Sequence, residues 1–170
     1  MTTAYIALGS NLPSHAGTPQ ATLQAAIESL QAPNTGIGSV SARSRFYSTD
    51  PVGYADQPTF LNAAIALETT LAPEALLDHL LQIEQHFGRD RSHGIPNGPR
   101  TLDLDLILYG SQILHSPRLT LPHPRMHQRS FVLEPLAEIA PTQIHPALKK
   151  TMQELLEMLN PDALNPEPAP

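Results

Sequence analysis

The sequence predicts an α+β protein: a mostly antiparallel sheet with helices packed on one face. Three observations predict it. Strand-like and helix-like segments follow one another as β-α-β-β-α-β between Ala4 and Tyr109. Residues Leu102 to Tyr109 alternate apolar and polar with the period of a strand. At 170 residues without cysteine, the chain is long enough for one core that needs no disulfide. A single domain is expected over 1–160, and the Pro-rich tail 161–170 has no core-forming pattern and is expected to be disordered.

The elements follow in order. Ala4-Tyr5-Ile6-Ala7-Leu8 reads as a strand closed by the turn Gly9-Ser10-Asn11; no G-x-x-x-x-G-K-[ST] phosphate loop occurs anywhere. Thr18-Pro19 starts a helix whose stripe is Leu23, Ile27 and Leu30, and Pro33-Asn34-Thr35-Gly36 ends it. Ile37 to Tyr47 reads as one strand of mixed pattern. Ser48 to Pro58 is an irregular loop, long enough for a functional role or a lid. Phe60 to Leu67 is the next strand, with Phe60, Asn62 and Ala64 on one face. The Asn62 amide is the polar exception there, able to read a heterocycle edge or to bond a neighbouring strand.

Pro73 opens a second helix with the stripe Leu76, Leu80, Ile83 and Phe87, ended by Gly88. Glu84 sits beside that stripe and reads by itself as an exposed helical acid. Arg89 to Pro99 is a second Pro/Gly-rich loop carrying arginines, equally a closing phosphate lid or a plain surface loop. A short hairpin is expected between Gln112 and Leu121. The run Pro122 to Arg129 follows; His123 and His127 have the spacing of a helical metal pair, but the prolines oppose a helix and favour a cationic phosphate-binding run. Phe131 to Ile139 is expected to be helical with Pro135 near a bend. Thr151-x-x-Glu154 is a capping box for a last helix through Leu159, with the stripe Met152, Leu155, Leu156 and Leu159.

Composition narrows the function. Without cysteine, thiol catalysis and zinc-thiolate sites are excluded. No apolar run reaches the ~20 residues of a membrane span and no signal pattern opens the chain, so a cytoplasmic protein is expected. A formal charge of −6 argues against nucleic acid or an acidic membrane as partner. Yet six of the ten basic residues (Arg89, Arg91, Arg100, Arg118, Arg125 and Arg129) fall within 89–129, which holds only three acids. An acidic chain that gathers arginines around Asp103 and Asp105 is suited to a small polyanion with a divalent metal.

In the strand, Leu104, Leu106 and Leu108 are expected to face the core, and Asp103 and Asp105 the other side, with Cα atoms roughly 6.5–7 Å apart. Carboxylates that close repel unless a cation sits between them. Mg²⁺ suits such a pair, its shell completed by phosphate and water. The plainer alternative is two aspartates facing water. The first two helices should lie behind the sheet, leaving the aspartate face open between the two long loops and the C-terminal segment.

Four segments carry a resemblance to a known family: Ala4-Tyr5-Ile6-Ala7-Leu8-Gly9-Ser10-Asn11, Asp56-Gln57-Pro58-Thr59-Phe60-Leu61-Asn62-Ala63-Ala64, Gly98-Pro99-Arg100-Thr101-Leu102-Asp103-Leu104-Asp105 and Leu119-Thr120-Leu121-Pro122-His123-Pro124. In one register from Tyr5 to about Ile144 the chain resembles the 6-hydroxymethyl-7,8-dihydropterin pyrophosphokinases of folate biosynthesis. The element order also matches the split βαβ, ferredoxin-like arrangement, and the resemblance implies that fold with an extra C-terminal hairpin and helices, working as a monomer. It implies transfer of pyrophosphate from ATP, the co-substrate, to the pterin hydroxymethyl group, with AMP leaving and two Mg²⁺ ions between Asp103 and Asp105. Arg89, Arg91 and Arg100 match phosphate-binding catalytic positions. Glu84, Arg91, Arg100, Arg118, Thr120, His123 and Arg129 match the ATP site. Thr49, Pro51, Val52, Phe60, Asn62 and Phe131 match the pterin pocket. The chain departs from the usual pattern at Asp50 (commonly proline), Phe60 (tyrosine), Asn97 (a loop tryptophan, here with one residue more in the loop) and Pro124 (tyrosine), which bear on loop closure.

Two other functions compete with this reading. A two-carboxylate glycosidase would need neither the arginines nor a metal. A non-catalytic pterin or nucleotide binder on the same scaffold would bind both ligands without turnover.

Overall fold

A computed structural model describes residues 1–49, 57–89 and 98–160. The elements run β1 (Thr2–Ser10), α1 (Pro19–Leu30), β2 (Ser39–Arg43), β3 (Tyr47–Thr49), β4 (Phe60–Thr69), α2 (Pro73–His86), β5 (Asp103–Tyr109), β6 (Leu114–His115), β7 (Thr120–Leu121), a 3₁₀ turn (Met126–Gln128), α3 (Ser130–Ile139) and α4 (Met152–Leu159). The main sheet has the order β2-β4-β1-β5 with β3 also paired to β4, and every pairing is antiparallel. β6 and β7 form the separate hairpin expected between Gln112 and Leu121. Among the described residues no helix is long and apolar enough to cross a membrane.

The helix ends follow local chemistry. Thr18 caps α1 by accepting the Ala21 N–H, and Pro19 takes the first turn, where its missing N–H costs nothing. Gly88 supplies the left-handed residue after α2, at φ 88°. At α4 the Thr151 hydroxyl accepts the Glu154 N–H while the Glu154 carboxylate accepts the Thr151 N–H, the reciprocal pair the sequence signals. α3 runs through Pro135, which forgoes the helical bond to the Phe131 carbonyl.

Packing corrects three expectations. The stretch Ile37 to Tyr47 is two strands, because Ser44 interrupts the ladder: its hydroxyl, rather than a backbone carbonyl, accepts the Ala64 N–H. Leu108 does not share a face with Leu104 and Leu106. The β1–β5 register shifts between Tyr5 and Ile6, which pair with Leu108 and Leu106, so Ile107 is an extra residue that turns Leu108 to the opposite side. Helices also cover both faces, not one. On the first, Leu23, Ile27, Leu30, Leu76, Leu80 and Ile83 of α1 and α2 pack against Ile6, Leu8, Ile65, Leu67, Leu104 and Leu106. On the second, Val132, Leu133, Leu136, Met152, Leu155 and Leu156 of α3 and α4 pack on Tyr5, Ala64, Ala66, Ile107 and Leu108. Each of these Val, Leu, Ile and Met side chains, withdrawn from water, stabilises the fold by about 1.5–3 kcal/mol. The apolar middle of that second face attracts α3 and α4. Its polar end, where Asp103 pairs with Gly9 and Gly9 with Asn62, lines a cavity.

Candidate active site

β5 presents Asp103 and Asp105 opposite Gly9 and Ala7 of β1, on the face away from α1 and α2 as expected. Asp103 lies between two guanidiniums: Arg89 Nη1 at 3.2 Å from Oδ1 and Arg100 Nη1 at 3.4 Å from Oδ2. All three side chains are largely withdrawn from water, at 15–21% exposure, so these pairs are weakly screened. Both arginines are held on the backbone as well, Arg89 donating to the Leu102 carbonyl at 2.9 Å and Arg100 Nε to that of Gly98 at 3.1 Å. Asp103 with its two fixed cations, and Asp105 two residues along the same face, could hold an anion and a metal together.

Two cavities meet at this strand. The first, of about 200 Å³, is lined by Gly9, Thr49, Phe60, Asn62, Arg100, Asp103, Gln128, Arg129, Ser130 and Phe131. Phe60 is the first residue of β4 and Phe131 lies in the first turn of α3, so the sheet and its covering helix each contribute a ring. Arg100 lies over Phe60 at 5.4 Å and Arg129 over Phe131 at 5.6 Å. Asn62 is 6% exposed and donates to the Thr49 hydroxyl at 2.5 Å, which fixes the amide plane. Gly9 forms the floor: a Cβ there would stand 3.1 Å from Asn62 Oδ1. The cavity therefore offers aromatic faces, an oriented amide and a cationic rim, a lining suited to a flat polar heterocycle.

The second cavity, of about 460 Å³, takes in Asp105, Arg118, Thr120, His123 and Pro124 with the apolar Leu77 and Leu81. Arg118 is ion-paired with Asp78 of α2. Burial, reinforced by Arg129 and then Arg125 against the opposing pull of Asp103, pushes the His123 imidazole down to about 4. It is therefore neutral at physiological pH, and because Nδ1 accepts the Arg125 N–H at 3.2 Å, the proton sits on Nε2. His123 thus adds no charge to the run Pro122 to Arg129, whose Arg125 and Arg129 are cationic.

Glu84 is not the exposed acid that its helical position suggests. It is 1% exposed, and its carboxylate accepts the Leu104 N–H at 2.7 Å, fixing α2 against the start of β5 between the two aspartates. It lines neither cavity. Asn11, which the sequence marks only as a turn residue, is 3% exposed. Its side chain donates to Gln57 Oε1 and the Pro58 carbonyl, both at 2.9 Å, and accepts the Arg100 N–H at 2.9 Å. The Arg100 carbonyl in turn accepts the N–H groups of Asn11 and Leu12. Asn11 thereby ties the start of β4 and the approach to β5 to the end of β1. The available signal was a polar residue closing an apolar strand, which by itself says only "turn".

Comparison with known proteins fits this geometry. The family model described as 7,8-dihydro-6-hydroxymethylpterin-pyrophosphokinase (HPPK) matches residues 5–141. The chain belongs to the HPPK family. A 2-amino-4-hydroxy-6-hydroxymethyldihydropteridine pyrophosphokinase from Haemophilus influenzae is 47% identical over 147 residues, 86% of each chain. One of the same description from Pseudomonas aeruginosa is 49% identical over 138 residues, 81% of this chain and 80% of that one. The HPPK-DHPS of Plasmodium falciparum superposes with a TM-score of 0.73 at 13% identity, over 97% of this chain and 44% of that one, a likeness of fold. The HPPK match spans β1 to α3 and hence both cavities, and leaves α4 outside. Of the positions expected from the family resemblance, Pro51, Val52 and Arg91 lie outside the described residues, as do the departures Asp50 and Asn97 and the tail 161–170.

Proposed function

We propose that this protein transfers the pyrophosphoryl group of ATP to the hydroxymethyl group of 6-hydroxymethyl-7,8-dihydropterin, in folate biosynthesis, with the reacting groups meeting at Asp103 and Asp105. One observation carries the reading: neighbouring same-face aspartates of β5 open into different cavities, Asp103 into the aromatic one and Asp105 into the one with Arg118, Thr120 and His123. A heterocycle in the first and a nucleotide in the second would bring a hydroxyl and a triphosphate together over the carboxylate pair. The hydroxymethyl oxygen bonds to the β-phosphorus, the bond from that phosphorus to the α,β-bridging oxygen breaks, AMP departs with that oxygen, and the hydroxyl proton is released.

The residues divide the work. Asn62, oriented by Thr49, pairs with the heterocycle edge while Phe60 and Phe131 hold its faces; the family resemblance adds Pro51 and Val52 to the residues that recognise it. Arg89, Arg91, Arg100 and Arg129 neutralise phosphate oxygens, because this class of transfer needs positioning and charge compensation more than covalent help. His123 presents a neutral Nε2–H, and Arg118 and Thr120 hold the nucleotide with it. Glu84 contributes by setting β5. Among the described residues no cluster of three or more His, Asp or Glu side chains forms a protein-only metal cage. Two carboxylates with phosphate completing the shell is instead the usual arrangement for Mg²⁺. Asp103 and Asp105 would hold Mg²⁺ (two ions by the family resemblance), which would supply positive charge to the phosphates and acidify the attacking hydroxyl.

The order β2-β4-β1-β5 with α1 and α2 on one face supports a ferredoxin-like core from β1 to β5, extended by the hairpin, α3 and α4 within a single domain over 1–160. We read the protein as a cytoplasmic monomer without nucleic-acid or membrane partners. The deciding assay incubates the protein with ATP, Mg²⁺ and the hydroxymethyldihydropterin and measures AMP. Turnover is expected to stop on chelation and in Asp103→Ala and Asp105→Ala, with circular dichroism unchanged. Arg91→Ala is expected to slow chemistry more than it weakens ATP binding. Binding of both ligands with no AMP would make the protein a sensor instead.

A further inference from the structure

β3 is a weakly held element. It is three residues long, and among the described residues its strand partner is β4, over the pairs Tyr47–Asn62, Ser48–Leu61 and Thr49–Phe60. It nonetheless carries Thr49, the acceptor that orients Asn62 in the first cavity. Its other anchor lies on α3, outside that cavity. The Glu138 carboxylate accepts the Arg45 N–H at 3.1 and 3.4 Å through its two oxygens and the Tyr47 hydroxyl at 2.6 Å. It also lies 3.6 Å from Arg45 Nε, and the Arg45 guanidinium covers the Tyr47 ring at 4.6 Å. These contacts join residues 91 and 93 positions apart.

Phe131 and Glu138 are seven residues apart on α3, so they share one face of the helix two turns apart. One end of that face supplies a wall of the cavity, and the other grips the strand that supplies Thr49. The apolar packing of Val132, Leu133 and Leu136 keeps α3 on the sheet, but such packing has no direction. Hydrogen bonds to a carboxylate do have one, and they are the stronger kind.

We propose that Glu138 is a positioning residue for the heterocycle: its grip on Arg45 and Tyr47 sets the separation between Phe131 on α3 and Thr49 on β3, and with it the width of the slot. The proposal rests on reading the first cavity as the pterin site. A residue acting this way changes how the pterin is held without touching the nucleotide.

The test compares KM for the pterin, KM for MgATP, kcat and the thermal midpoint across variants. Glu138→Ala is expected to raise pterin KM about 5–20-fold while MgATP KM stays within about twofold. Glu138→Gln keeps a carbonyl acceptor and is expected to recover part of the loss. Tyr47→Phe is expected to give a smaller rise, and the pair Tyr47→Phe/Glu138→Ala no more than Glu138→Ala alone, since both act through one contact. Asn62→Ala, inside the cavity, serves as the reference. If it raises pterin KM but Glu138→Ala raises neither constant, or both together, Glu138 is merely structural and the proposal is overturned while the site reading stands. If Asn62→Ala leaves pterin KM unchanged, the cavity is not the pterin site and both readings fall.

Discussion

Replacing Asn11 with alanine removes the amide that joins three segments at the head of the site. Three hydrogen bonds go: those to Gln57 Oε1 and the Pro58 carbonyl, and the one received from the Arg100 N–H. Each is worth about 0.5–1.5 kcal/mol net, and a buried group left without its partner costs about 1–3 kcal/mol. The Asn11 side of these contacts is buried, whereas Gln57, Pro58 and Arg100 keep some access to water, so the total is nearer the lower bounds, about 2–4 kcal/mol. For a chain of this size that corresponds to a fall of about 5–15 °C in thermal midpoint. Urea unfolding is the assay, read as a lower midpoint at unchanged slope. Asn11→Asp retains an acceptor for Arg100 but turns an oxygen toward Gln57 Oε1 and the Pro58 carbonyl, so it is expected to lose at least as much. The fixed Arg100 backbone also aims a guanidinium at Asp103, so kcat/KM is expected to drop at least about tenfold at temperatures where the variant is fully folded. A stability loss below about 0.5 kcal/mol, the range of an ordinary surface change, would refute the reasoning. So would full activity in a destabilised but folded variant.

Other outcomes follow from single contacts. Gly9→Ala puts a methyl 3.1 Å from Asn62 Oδ1 and 4.0 Å from Asp103 Cβ, so pterin KM is expected to rise about tenfold, with little change in thermal midpoint, in a steady-state assay. The folded-state value for His123 lies near 4, below the ordinary histidine value, so the unfolded chain binds a proton there that the native chain does not. Its contribution to stability is therefore complete above about 6.5 and is lost as the pH falls toward 4. Burial depresses His145 in the same direction, so urea midpoints across that window should fall with acid, and less steeply in His123→Gln. Thr151→Ala removes half of the α4 capping box and is expected to cost about 1 kcal/mol by urea unfolding, with AMP production unaffected.

How much could be read in advance depends on how far along the chain each cause lies. Periodicity and capping are local: the stripes of α1 and α2, the Thr151–Glu154 box and the same-face placement of Asp103 and Asp105 follow from residues a few positions apart, and the structure has them. The likeness in Gly98 to Asp105 and its companion segments matched Thr49, Phe60, Asn62 and Phe131 to one pocket and Arg100 and Arg129 to the nucleotide site; the first cavity is lined by members of both groups, with Asp103. The bulge at Ile107 was not legible, because an alternating run looks the same with or without a residue slipped against its partner. Nor was the burial of Glu84, whose acceptor role needs the Leu104 N–H brought from another element.

By itself, then, the sequence determined the kinds of element, their order, and which chemistry-bearing side chains share a face. Only the tertiary structure decided that α3 and α4 cover the second face, that Asp103 and Asp105 open into separate cavities, and that Asn11 and Glu138 tie the walls together. The reason is physical. A polar side chain can satisfy its hydrogen bonds with many partners, and which one it meets is settled by the apolar packing of elements far apart in the chain.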